Sequence, residues 1–243
     1  MRAVILAAGV GNRIAAAHTG PKALLRFGGR SLLERHLGIL KETGVDDIVI
    51  GTGYRSDEIA AELARIGAHH VRCVHNPRFR DGSVTTLWSL RDAVLAAGDV
   101  LVMDADVLYD RRMIQRLTSS RHDNCLLLDR DFLPGDEPVK ICLRGGQIVE
   151  FRKKVEVRFD EVGESVGFFR FAPDTARILI ETAGAYVENG RANAPHEEAI
   201  RDIVLATPAA FGVEDVTGLP WIEIDFPDDV ARAERDVLPR LTA

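Results

Sequence analysis

Two glycines, an arginine and a lysine near the N-terminus carry the clearest chemistry in the sequence. Leu6-Ala7-Ala8-Gly9-Val10-Gly11-Asn12-Arg13 closes an apolar run with small residues, and Pro21-Lys22 follows, with Lys22 nine positions beyond Arg13. Glycines let backbone amides approach an anion closely, and two cations on one loop add charge. The segment is therefore suited to a polyphosphate held by Gly9, Gly11, Asn12, Arg13 and Lys22. A tight turn is the alternative reading of the glycines taken alone. Two familiar phosphate-binding fingerprints are excluded: Ile14 stands where a dinucleotide fold needs its third glycine, and no Gly-Lys-Ser/Thr follows.

Two acidic pairs add a second function. Leu101-Val102-Met103-Asp104-Ala105-Asp106 is an apolar run ending in Asp-x-Asp, and Trp221-Ile222-Glu223-Ile224-Asp225 repeats the spacing. In a strand the period of two puts Asp104 with Asp106, and Glu223 with Asp225, on common faces, with Ile222 and Ile224 on the opposite one. Solvated turn residues or the wet face of an edge strand would read the same way. Taken together, Asp106, Asp225 and Glu223 suit Mg²⁺, which takes a few carboxylates alongside water and substrate phosphates.

Weaker signals lie elsewhere. Gly82-Ser83-Val84-Thr85-Thr86, after the Asn76-Pro77 turn, offers backbone groups and hydroxyls to a nucleobase, or simply caps a helix. Ala194-Pro195-His196-Glu197-Glu198 opens a helix with acidic residues, which the helix dipole explains unless His196 and Glu197 contact an acceptor. Lys140 and Lys153 are either solvated or neutralise an acceptor phosphate, and Glu164 is a pocket-lining choice. Trp88 and Trp221 are core residues or walls of a cage for a quaternary ammonium. Histidines and cysteines show no zinc spacing, and no Gly-x-Ser-x-Gly occurs, so direct displacement is expected rather than covalent catalysis.

These residues need elements to hold them. Strand and helix patterns alternate through Arg2–Ala7, Ser31–Thr43, Asp47–Gly51, Ser56–Ile66, Val71–His75, Thr85–Ala97 and Val100–Met103, which predicts a parallel sheet. In the Ser31–Thr43 segment Leu32, Leu33, His36, Leu37 and Leu40 share one face, Ser31 is placed as the N-cap and Gly44 stops the helix. After Asp110 the strands Asn124–Asp129, Val139–Leu143 and Gln147–Phe151 run consecutively, the last two a hairpin across Arg144-Gly145-Gly146. Gly163–Phe171 and Trp221–Asp225 read as strands. Pro173–Thr182, Pro195–Ala206 and Pro227–Val237 read as helices.

The 243 residues are 46% apolar, enough for a large core, and the net charge of −6 gives no general attraction to nucleic acid. Arg152-Lys153-Lys154 is too short a basic run to change that. No apolar stretch suits a membrane span or a signal peptide, and Cys73, Cys125 and Cys142, far apart in strand-like contexts, read as buried free thiols; cytosol is the expected location.

With Leu6–Arg13 and Pro21-Lys22 in place, the chain resembles the nucleotidyltransferases that activate sugar phosphates and phosphorylated small alcohols, and the order of its elements agrees over nearly the whole chain. The late Glu223-x-Asp225 makes it most similar to the cytidylyltransferases acting on phosphocholine, inositol phosphate and aminoethylphosphonate. The resemblance implies a single nucleotidyltransferase domain over 1–243 with a β-hairpin insertion around 129–165. Its fold class is α/β, a Rossmann-like three-layer α/β/α with a mixed, mostly parallel sheet. It also implies CTP and a phosphorylated small-molecule acceptor as partners and Mg²⁺ as cofactor. Arg13 and Lys22 act at the phosphates; Leu6, Ala7, Ala8, Gly82 and Ser83 lie beside the nucleotide. Asp106 is the metal ligand with Glu223 and Asp225, and Asp104 is the second carboxylate of its strand. Relatives often carry an aromatic where His196 stands, a departure that weakens phosphocholine as the acceptor. The alternatives are a sugar-1-phosphate transferase using UTP, GTP or dTTP, a catalytically silent nucleotide-binding regulator, and a nicotinamide oxidoreductase, which Ile14 and Lys22 disfavour. Monomer and homodimer are both compatible.

Overall fold

The computed structural model describes residues 1–14 and 18–242. In chain order, β1 (Arg2–Ala7) leads through the glycine loop to two short strands, β2 (Arg26–Phe27) and β3 (Arg30–Ser31). Then come α1 (Leu32–Glu42), β4 (Asp47–Thr52), α2 (Ser56–Arg65), β5 (Arg72–His75), α3 (Ser83–Ser89), α4 (Arg91–Leu95) and β6 (Val100–Asp104). The second half runs through β7 (Val107–Tyr109), α5 (Arg112–Ser119), β8 (Asn124–Asp129), β9 (Lys140–Arg144), β10 (Gln147–Arg152) and β11 (Glu161–Phe171). It ends with α6 (Pro173–Glu188), α7 (His196–Ala206), β12 (Phe211–Asp215), β13 (Trp221–Glu223) and α8 (Pro227–Arg232). Among the described residues no helix is long and apolar enough to cross a membrane.

Among the described residues nine strands form one sheet, with the path β10-β9-β11-β6-β1-β4-β5 and with β8 and β12 joined through β11. The β1–β4, β1–β6 and β4–β5 pairs are parallel, so the C-terminal ends of these strands share one edge, where ligands of parallel α/β sheets sit. Alternation along β1 divides the core: Val4 and Leu6 face α3, α4, α6 and α7, whereas Ala3, Ile5 and Ala7 face α1, α2 and α5. The result is helix layers on both faces of a mixed sheet. At the predicted N-cap of α1, Ser31 Oγ accepts from Glu34 N at 3.0 Å, and Gly44 stops the chain at φ +78°.

The eleven-residue β11 divides the sheet. Glu164 pairs with both Asp129 of β8 and Lys140 of β9, and Phe169 with both Leu126 of β8 and Val102 of β6. β8 therefore occupies one edge of β11, while β9 and β6 share the other in succession. Between them lies Gly167 at φ +81°, where a Cβ would collide with the Asp104 carboxylate. The hairpin expected as an insertion is thus an extension of the main sheet.

Four expectations change. The helix read over Thr85–Ala97 begins at Ser83 and breaks at Leu90, where Ser89 Oγ bonds back to Thr85 O at 2.8 Å. The strand read over Trp221–Asp225 stops at Glu223, and Cys73 is exposed on the edge strand β5 rather than buried. The strands β7 and β12 were not anticipated; each is short and gains its partner from distant sequence, β7 from β13 and β12 from β8.

Gly82 is the tightest junction. Its N–H donates to Ala192 O at 2.7 Å, and a Cβ here would overlap the Ala194 carbonyl that precedes α7. Gly82→Ala should therefore cost about 1–3 kcal/mol of stability through overpacking, read as a lowered urea midpoint; an unchanged midpoint would mean the 192–194 segment yields freely.

Candidate active site

The loop after β1 is set by both of its ends. Gly11 adopts φ +67°, Ile14 N bonds to Gly11 O at 3.1 Å, and the Ile14 side chain is fully buried beside Phe27, Leu32, Ile222 and Ile224. Ile14 thus anchors the loop to the small core beneath β13. Pro21 starts the next turn at φ −56°, with Leu24 N donating to Pro21 O at 2.9 Å, and this aims Lys22 back across the loop.

Lys22 meets two carboxylates. Its Nζ lies 2.6 Å from Asp225 Oδ1 and 3.0 Å from Asp106 Oδ2. Partial burial disfavours the ammonium, but the charges of Asp106 and Asp225 outweigh it and hold Lys22 above the usual lysine range. Arg13 Nη1 contacts Asp225 Oδ2 at 3.2 Å and Glu137 Oε2 at 3.1 Å, with its guanidinium 5.5 Å from the Phe226 ring centre. Lys153 Nζ reaches the same Glu137 oxygen at 3.2 Å.

β13 delivers the second acidic pair. It lies antiparallel to β7, pairing Glu223 with Val107, and Ile224 N continues the contact to Asp106 O at 3.0 Å. Ile222 and Ile224 face the small core, as the period of two requires, leaving Glu223 and Asp225 opposite. Oxygens of Asp106, Glu223 and Asp225 lie within 4.8 Å of one another. Crowding by neighbouring protein atoms and the charges of Asp106 and Asp225 push Glu223 well above the ordinary carboxylate range, although its side chain keeps contact with solvent. Asp229, in the first turn of α8, fixes this end of the triad: its Oδ2 accepts from Asp225 N at 3.1 Å and Phe226 N at 2.8 Å.

All of this opens onto a cavity of about 410 Å³ lined by Leu6, Ala7, Ala8, Gly9, Gly11, Asn12, Arg13, Lys22, Ser83, Asp104, Asp106, Lys153 and Asp225, among others. The sequence-predicted nucleotide residues are together there, with the exception of Gly82. Thr86, from the hydroxyl-rich helix start, lines it too, and Phe79 joins without having been anticipated. Thr86 is held by buried Asn76, whose Nδ2 donates to Thr85 Oγ1 and Thr86 Oγ1 at 2.9 and 3.0 Å. Asn76-Pro77 signalled a turn in sequence but not this clamp.

Of the predicted acceptor residues only Lys153 and Glu197 share a cavity. Lys140 Nζ is bound by the carbonyls of Gly135 and Lys153, each at 2.7 Å, and so closes the loop before β9. Glu164 lines a separate cavity of about 400 Å³ beyond Asp225, and Glu197 another of about 520 Å³ whose wall includes Lys153. His196 is 2% exposed and lines none of these cavities. Its backbone N–H donates to Ser83 Oγ at 2.8 Å, so that hydroxyl joins α3 to α7 and Gly82 takes the cap position. Trp221 Nε1 donates to Asp129 Oδ2 at 2.7 Å and Trp88 packs against Gly184, an arrangement that does not pair them as walls of a cage. Asp104 and Asp106 also part company: β6 ends at Asp104, which turns toward His196 and Glu197 while Asp106 joins Glu223 and Asp225.

Residues 3–141, which include the loop and the lysine, match the MobA-like NTP transferase domain. The chain belongs to the MobA-like NTP transferase family. It is 30% identical over 97% of its length to the bifunctional IPC transferase and DIPP synthase of Rubrobacter xylanophilus, of which it spans 52%. It thus spans about half the length of the first curated relatives it matches. The CTP:phosphoglutamine cytidylyltransferase of Campylobacter jejuni is 22% identical over 71% of this chain and 73% of its own. The structure of a CTP:phosphocholine cytidylyltransferase from Streptococcus pneumoniae superimposes with a TM-score of 0.76 at 21% identity, covering 96% of this chain and 97% of that chain. The nucleotidyltransferase-type, Rossmann-like fold expected from the sequence is therefore the fold observed.

Glu137 places a carboxylate between Arg13 and Lys153. Glu137→Gln should tighten pyrophosphate binding about 2- to 5-fold by calorimetry, the size expected for exposed ion pairs; unchanged or weaker binding would show that Glu137 does not compete with the anion.

Proposed function

We propose that this chain is a Mg²⁺-dependent cytidylyltransferase, moving CMP from CTP to a phosphorylated small alcohol or a phosphonate with release of pyrophosphate. The observation that carries the proposal is the meeting of Lys22 with Asp106 and Asp225 at the mouth of the glycine-loop cavity. The choice of CTP rests on the activities of the Campylobacter relative and the Streptococcus enzyme. Phosphocholine, inositol phosphate and aminoethylphosphonate are the acceptor types in view.

The donor set fits Mg²⁺. Asp106, Glu223 and Asp225 offer only oxygens, within 4.8 Å of one another, and the Lys22 ammonium already stands between two of them as a stand-in cation. Bound there, Mg²⁺ would neutralise phosphate charge as a Lewis acid. The chain's own residues do the rest. Lys22 and Arg13 share Asp225, and with that carboxylate and Asp106 occupied by a cation both would be free to turn to the phosphates. Backbone amides at Gly9 and Gly11 receive the triphosphate. The acceptor phosphate is mostly a dianion at neutral pH, with a second pKa of about 6, so its oxygen attacks the α-phosphorus without a protein base. The α-phosphorus to bridging-oxygen bond breaks in line, pyrophosphate carries away the electron pair, and Lys22 and Arg13 stabilise the charge on the phosphoryl oxygens.

Pyrophosphate release measured for four nucleoside triphosphates against phosphorylated alcohols, phosphonates and sugar-1-phosphates tests the proposal. Activity with CTP and an alcohol phosphate or phosphonate is expected, and activity only with UTP and a sugar phosphate would overturn it. Lys22→Ala should lower turnover about 10²- to 10³-fold while the protein stays folded; near-normal turnover would exclude Lys22 from the transfer step. Saturating Mg²⁺, at about 100 times its Kd, should stabilise the protein by about 2.7 kcal/mol in thermal unfolding, and Asp225→Asn should abolish the effect. An equal shift in both proteins would place the cation elsewhere.

A further inference from the structure

A second cluster, Asp104, His196 and Glu197, sits beside the carboxylate triad and has no part in the transfer described above. One donor atom from each lies within 4.8 Å of the others. His196 is 2% exposed, and among the described residues its Nε2 has no hydrogen-bond partner. That nitrogen points at Asp104 Oδ1 across 3.8 Å, too long for a hydrogen bond. Asp104 accepts no hydrogen bond from the described residues either, and Gly167 leaves its Oδ2 room that any side chain would fill.

The other ring nitrogen is engaged. His196 Nδ1 lies 2.9 Å from Glu197 Oε2 and 3.1 Å from Ser83 Oγ. A ring held through one nitrogen by the Ser83 hydroxyl, with the Glu197 carboxylate beside it as a charge neighbour and the second nitrogen bare and facing Asp104, is the kind of arrangement by which metal-binding histidines are oriented. With metal-to-ligand distances of about 2.1 Å, an ion between Nε2 and Oδ1 would span a gap of this size.

We infer that Asp104 and His196 Nε2 form a second divalent-cation site, oriented by Ser83 beside Glu197 and distinct from the all-oxygen triad of Asp106, Glu223 and Asp225. The imidazole favours transition-metal ions, Co²⁺ or Zn²⁺ above Mn²⁺, over Mg²⁺. Asp104 lines the cavity that also holds Lys22, so the remaining coordination positions open toward water and substrate oxygens there. Binding exchanges any proton on Nε2 for the cation; Nδ1–H stays on Ser83 Oγ, beside the Glu197 carboxylate. The site depends only on these side chains and stands whichever nucleotide or acceptor the protein uses.

Mn²⁺ alone is the probe, with electron spin-echo modulation reading whether a nitrogen is directly bound. The wild-type protein should show ¹⁴N modulation that converts to ¹⁵N when histidine is ¹⁵N-labelled, a test needing no variant. His196→Gln should lose the modulation, while Asp225→Asn should retain it, because that change strikes only the triad. Glu197→Gln should keep the modulation but weaken Mn²⁺ binding about 10- to 100-fold. Absence of nitrogen modulation in the wild type would overturn the inference and identify the cluster as an ion pair without metal. Modulation that survives His196→Gln would overturn it too. Loss of one of two bound Mn²⁺ ions in Asp225→Asn with the nitrogen signal intact would support two separate sites.

Discussion

The contact of one ammonium with two aspartates organises the site. Asp106, Glu223 and Asp225 would repel one another at this spacing without a cation among them, and Lys22 Nζ, at 2.6 and 3.0 Å, supplies it. Three remote pieces of chain are drawn to one point: the turn after the glycine loop, the end of β6 and the end of β13.

The fold serves that contact through ordinary packing. The parallel pairing of β1 with β6 sets the loop beside Asp104 and Asp106, and the β7–β13 ladder lays Glu223 and Asp225 across from them. Ile14, Ile222 and Ile224 share one small buried cluster, so the loop and the acidic strand are anchored to the same apolar platform. Asp229 then ties Asp225 N and Phe226 N to the first turn of α8. Precision at the carboxylates follows from these neighbours.

Features governed by local periodicity were legible in the sequence. The strand over Arg2–Ala7, the alternation of Glu223 and Asp225 with the two isoleucines, and the Ser31 cap depend on residue type and spacing within a few positions. The layered fold followed from the alternation of such segments. Features set by distant contacts were not legible. The separation of Asp104 from Asp106 comes from where β6 ends, and that end is decided by partners on β1 and β11. Glu137 sits in an aperiodic loop, and its contacts with Arg13 and Lys153 join three segments remote in sequence. Lys140 looked like a free cation because nothing local announces the carbonyls that enclose it.

Where Lys22 goes when a cation arrives is the central question for this site. A crystal structure with Mg²⁺ and a non-hydrolysable CTP analogue would measure it. The expected result is Mg²⁺ bound to Asp106 and Asp225, with Lys22 Nζ moved from those carboxylates onto a phosphate oxygen within hydrogen-bond distance of about 3 Å. Lys22 still paired with Asp106 and Asp225, and Mg²⁺ held by phosphates alone, would contradict it.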